Sequence, residues 1–158
     1  MKRVMFPGSL LALLVLVLVA APPALAAEKD VQKFERTFPF DDKDHKIGVT
    51  VGDVTIESVQ VKNWPDAEDY AKGEKDPNDT KTMWVVFTYT NKGSSDYRCK
   101  YAVTIPDPKG GEAWAQDDAT RTLDKGKVDD TNRFGMKMKT HLYKQARTMK
   151  VTLEVWKK

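Results

Sequence analysis

From Arg98 onward the side chains alternate in polarity. Cys99, Tyr101, Val103 and Ile105 share one parity, while Arg98, Lys100 and Thr104 share the other. A period of two marks a β-strand with one face buried. The same period predicts a strand over Arg133–Lys139, with Phe134, Met136 and Met138 inward, and another over Thr148–Trp156, with Met149, Val151, Leu153 and Val155 inward. Lys33–Phe40 reads as an edge strand, because Pro39 cannot donate a ladder hydrogen bond. Val49–Val61 reads as one strand whose inward parity switches near Ser58. That switch implies a β-bulge or a strand changing sheets.

The segment Thr82–Thr90 breaks the simple pattern. Met83, Val85, Phe87 and Tyr89 fall on one side, and Trp84 and Val86 add bulk to the other. A central strand accommodates both if its outer face is covered, and the expected cover is the segment Lys62–Lys81 or the N-terminal arm. Asn91-Lys92-Gly93 then turns the chain, since Asn and Gly tolerate positive φ. Pro106–Gly111 is a second turn cluster, followed by a short strand near Ala113–Ala115. No amphipathic helix is expected in this region. The sum is about seven strands, all-β, with the spacing of an antiparallel immunoglobulin-like β-sandwich. An open barrel is the second expectation.

The first 26 residues read differently. Lys2 and Arg3 precede an uninterrupted apolar run, Leu10–Ala21, then Pro22-Pro23 and Ala24-Leu25-Ala26. This is the order of a signal peptide with a small-x-small cleavage site, so cleavage near Ala26 and an extracytoplasmic location, periplasmic or secreted, are expected. No further run is long enough to span a membrane. Residues 27–158 then form a single domain. The leader carries two of the 26 basic residues and none of the 23 acidic ones, leaving the mature chain at +1. That balance does not supply the concentrated basic face that nucleic-acid binding needs. Cys99 is the sole cysteine, so no disulfide can form within the chain, and burial as a small hydrophobe is expected.

Several stretches together resemble a broad group of bacterial secreted immunoglobulin-like domains of unknown function. They are VGDVTIESVQV (Val51–Val61), MWVVFTYTNKGS (Met83–Ser94), VTIPDPKGGEAW (Val103–Trp114) and MKVTLEVW (Met149–Trp156). The resemblance implies the sandwich fold and export, and brings no catalytic residues with it.

Candidate chemistry is concentrated in the connections. Lys62–Lys81 reads as a long polar loop, and loops of that length in a compact domain are often functional. It holds Trp64 and Tyr70, which either contact a partner or pin the loop to the sheet. Acidic pairs recur in turns, and Asp76 and Asp79 with Asp129 and Asp130 would make a calcium site if the loops converge. Met136, Met138 and His141 have the ligand types for copper, although the two Met share the parity of Phe134. There is no nucleophile elbow, phosphate-binding Gly loop or zinc pattern. The leading expectation is an exported, non-enzymatic binding domain that contacts another protein or an envelope component, without a cofactor. A calcium-responsive sandwich is the second reading, and a hydrolase using paired carboxylates is the third.

Overall fold

In a computed structural model the described residues are 30–158, so the expected leader, residues 1–26, lies outside them. Eight strands form two four-stranded antiparallel sheets. They are β1 (Gln32–Pro39), β2 (Asp44–Val51), β3 (Val54–Lys62), β4 (Thr80–Asn91), β5 (Tyr97–Ile105), β6 (Ala115–Leu123), β7 (Lys127–Lys139) and β8 (Thr148–Lys157). One sheet has the order β1-β8-β5-β6 and the other β2-β3-β4-β7. Between β3 and β4 lies one helix, α1 (Ala67–Lys75), and Thr140–Leu142 forms a single 3-10 turn.

The inward parity of each strand fills the space between the sheets. Val59, Val61, Met83, Val85, Phe87, Cys99, Tyr101 and Leu123 are fully buried. Phe87 and Tyr101 meet across the two sheets with centroids 4.3 Å apart, and Phe134 lies 6.3 Å beyond Phe87. The alternation predicted for β5 is complete, with every odd residue from Tyr97 to Ile105 buried.

Three features depart from expectation. Val49–Val61 is not one strand but the hairpin β2-β3, turning at Gly52-Asp53 with Gly52 at φ 57°. Such a Gly-Asp dipeptide between β-rich runs is itself a hairpin signal. The parity switch near Ser58 is present, as a register shift between Ile56 and Ser58 against β4. β6 is a full nine-residue strand although its sequence, AQDDATRTL, hardly alternates. It is an edge strand whose only fully buried residues are its ends, Ala115 and Leu123.

The third departure concerns the outer face of β4. Trp84 is 38% exposed; the Arg133 guanidinium lies 5.1 Å over its ring, and from the 62–81 segment Lys62 is its directly opposed partner on β3. Arg133 is a diagonal cross-strand neighbour, because Trp84 pairs with Gly135. A Cβ at Gly135 would stand 3.2 Å from Thr82 Cγ2 and 3.3 Å from the indole, so glycine there leaves the ring room to lie close to the strand. Charge over an aromatic face is the general cation–π arrangement, and it makes bulk tolerable on a solvated sheet surface.

Side chains also stitch the open edges of the two sheets. Arg36 donates to the Ile47 carbonyl at 2.7 Å, joining β1 to β2. On the other side Asn132 Nδ2 donates to the Thr122 carbonyl at 3.2 Å, joining β7 to β6. Unpaired edges invite pairing with other chains, and these contacts limit that exposure.

Candidate functional site

The two ends of the sandwich differ. One end has the tight turns 52–53, 92–96 and 124–126. The described chain also begins and finishes there: Gln32 pairs with Val155, and the Lys158 N–H donates to the Asp96 carbonyl at 3.0 Å. The opposite end collects the irregular connections 40–43, 63–79, 106–114 and 140–147. The register fixes this arrangement, since Pro39 pairs with Thr148, Thr104 with Lys150, Ile105 with Ala115 and Thr80 with Lys139.

The segment read as a long polar loop is mostly the nine-residue helix α1. Its start is fixed by a capping box. The Asp66 carboxylate accepts the Asp69 N–H at 2.9 Å, and the Asp69 carboxylate accepts the Asp66 N–H at 3.2 Å. Glu68 and Asp69 in the first turn and Lys72 and Lys75 in the last suit the helix dipole. Lys81 Nζ donates to Asp69, tying the helix to β4. That bond, followed by the Asp66 N–H, holds the Asp69 carboxyl below its ordinary value. Gly73 is the buried contact. A Cβ there would stand 2.9 Å from the Thr140 Cβ, so only glycine lets the helix approach the 3-10 turn this closely.

Trp64 sits before the helix and packs against the core. Its ring lies 4.7 Å from Phe40 and 5.6 Å from Tyr143, and its indole N–H donates to the Val61 carbonyl at 3.0 Å. The Tyr143 hydroxyl donates to the Lys81 carbonyl at 3.1 Å, closing the same corner. Tyr70 is half-buried on the helix, with Lys144 Nζ 4.1 Å above its ring. Burial raises the Tyr70 phenol above its ordinary value. These are the contacts of side chains that hold the 62–81 segment on the sheets, with Tyr70 also positioning Lys144 at the surface.

The four Asp residues considered for calcium are divided between the two ends. Asp76 Oδ1 accepts the Asn78 N–H at 2.9 Å, and Asp79 Oδ2 accepts the Thr140 hydroxyl at 2.6 Å. Asp130 Oδ2 accepts the Tyr89 hydroxyl at 3.0 Å, and the Asp129 N–H donates to Thr90 Oγ1 at 3.1 Å. Asp79 precedes β4 and Asp130 pairs with Tyr89. Strand rise therefore puts the two pairs about 33 Å apart. Among the described residues no three His, Cys, Asp or Glu side chains gather as metal ligands. Met136 and Met138 are buried in the core, while His141 lies in the 3-10 turn. His45 is bound to Asp41 at 2.8 Å.

Among the described residues, two open depressions exceed about 500 Å³. One, about 580 Å³, lies on the outer face of the β2-β3-β4-β7 sheet beside Glu57, whose carboxylate accepts the Thr90 hydroxyl at 2.5 Å. The other, about 560 Å³, opens at the irregular end between the 106–114 and 140–147 connections. Trp114, Leu142 and His141 line it together with Lys109, Lys144 and Arg147. Trp114 is half-buried against the core, and its backbone N–H donates to the Ile105 carbonyl at 2.9 Å, which closes the connection at its base. None of the three cations joins an ion pair among the described residues. No sequence motif marks this cleft, because its residues are up to 40 positions apart and the strand order alone brings them together.

No protein-family model and no curated protein matches the chain in sequence. Among the described residues no helix is long and apolar enough to cross a membrane.

Proposed function

We propose that the protein is an exported, immunoglobulin-like binding module without catalytic function. In this reading it engages another protein or an envelope component through its irregular end. Export rests on the leader-like order of residues 1–26. The immunoglobulin-like reading is supported by the strand order. If β3 is taken as the first strand of that topology, β4 beside β7 and β5 beside β8 reproduce its two characteristic non-consecutive neighbours. β1 then stands antiparallel beside β8, where the last strand of such a sandwich would lie.

The observation that carries the binding role is the gathering of four irregular connections at the end remote from Gln32, two of which, 106–114 and 140–147, enclose a cationic cleft. A sandwich supplies rigid support, and its loops supply selectivity. Capture from an envelope extract by residues 27–158 tests the reading. Substitutions in 106–114 and 140–147 that leave the fold intact should abolish recovery of the partner, and substitutions in 124–126 should not. Equal recovery with both sets would place the contact elsewhere.

A further inference from the structure

We propose that the cleft between the 106–114 and 140–147 connections is an oxyanion site that takes a phosphate group carried on a small ligand or a lipid head. The inference takes its location from the binding role above and adds the chemistry recognised there.

Charge is the first argument. Lys109, Lys144 and Arg147 face one opening of about 560 Å³ and have no carboxylate partner among the described residues. Other surface lysines, Lys46 and Lys92 among them, are also without an ion pair, so what sets the cleft apart is that its three cations converge on one concavity. The single acid at the cleft, Asp107, is engaged by its own turn. Its Oδ1 accepts the Lys109 N–H at 2.8 Å, and its carbonyl accepts the Gly110 N–H at 3.0 Å. The opening thus carries an excess of positive charge, and a concave cationic surface raises the local concentration of anions.

Donor geometry is the second. Arg147 presents a planar fork suited to two oxygens of one phosphate, and the lysines supply point charges beside it. Lys144 is held over the Tyr70 ring rather than free to sweep solvent. The third argument is the lining: Trp114 and Leu142 give the cleft an apolar wall on which the remainder of a ligand can rest. The volume is that of a small-molecule site.

The test uses residues 27–158 and two probes. Titration with glycerol 3-phosphate is followed by calorimetry, and flotation is measured with vesicles containing phosphatidylglycerol, against vesicles of phosphatidylcholine alone. Binding to either phosphate probe is expected, weakening as salt rises because the cleft is open. Lys109→Gln and Arg147→Gln should each weaken it by about fivefold, and the double substitution more than either. Lys46→Gln with Lys92→Gln removes the same charge from the depression beside Glu57 and should leave binding unchanged. Preference between the two probes identifies the source of the phosphate. No binding to either probe would overturn the proposal, and so would equal weakening by the two double variants. A partner captured through the irregular end by a protein that ignores both probes would preserve the binding role and remove the oxyanion site.

Discussion

Replacing Trp64 with alanine separates its two possible roles, as a pin for α1 or as an anchor for a ligand. The indole fills the corner between Phe40 and Tyr143 and bonds to the Val61 carbonyl. Removing a fully buried Trp costs about 3–5 kcal/mol. Trp64 is half-buried, so part of its surface is never withdrawn from water and the expected loss is about 2–3 kcal/mol. For a domain of this size that corresponds to a fall in Tm of roughly 6–12 °C. Thermal unfolding of residues 27–158, followed by circular dichroism, measures it. Trp64→Phe keeps much of the ring contact with Phe40 and should recover about half of the loss. A Trp64→Ala protein that melts within about 2 °C of wild type, yet no longer captures a partner, would refute the packing argument and restore Trp64 as a ligand anchor.

Three further outcomes follow from the same geometry. The Asp69 carboxyl is held below its ordinary 3.8 in the fold, chiefly by Lys81, so its stabilising effect is complete above 3.8 and is lost as pH falls through the lower folded value. The Tm difference between wild type and Asp69→Asn should therefore be constant near neutral pH and shrink toward zero in acid; an unchanged difference at about pH 2 would contradict the assignment. Cys99 is fully buried, and burial pushes its thiol up to about 12, so a thiol reagent at neutral pH should label the native protein only as fast as it unfolds. Labelling at the rate of an exposed thiol would show that the sheets open there. Calcium should leave Tm unchanged, because the two Asp pairs stand at opposite ends of β4; a rise reversed by a chelator would require ligands other than those pairs in combination.

How much of this was legible in the sequence depended on whether local pattern or topology was decisive. β5 and β8 were plain because each has a buried face and a solvated one, which imposes the period of two. The strand expected near Ala113–Ala115 meets β6 only at Ala115, because an edge strand can be polar along most of its length and still complete its ladder with β5. The helix α1 was missed because its buried contact is Gly73 rather than an apolar stripe. The capping pair, Asp66 and Asp69, was visible but uses Asp where Glu or Gln is the usual third-position partner. Trp84 showed that an outer face needed cover, but not that Arg133 would supply it from the neighbouring strand. Asp76 and Asp79 do flank a turn, whereas Asp129 and Asp130, expected in a turn, lie inside β7, and whether such pairs converge is a property of strand order. The cleft was illegible for the same reason: Lys109, Trp114, Lys144 and Arg147 meet only because β5 lies beside β8.

The role of the irregular end is tested most directly by backbone amide shifts of labelled residues 27–158, recorded as glycerol 3-phosphate or the captured partner is added. Shifts confined to 106–114 and 140–147, fading into α1 and leaving 52–53, 92–96 and 124–126 still, are the expected result. Shifts concentrated in those three tight turns, or spread over the outer faces of the sheets, would contradict it.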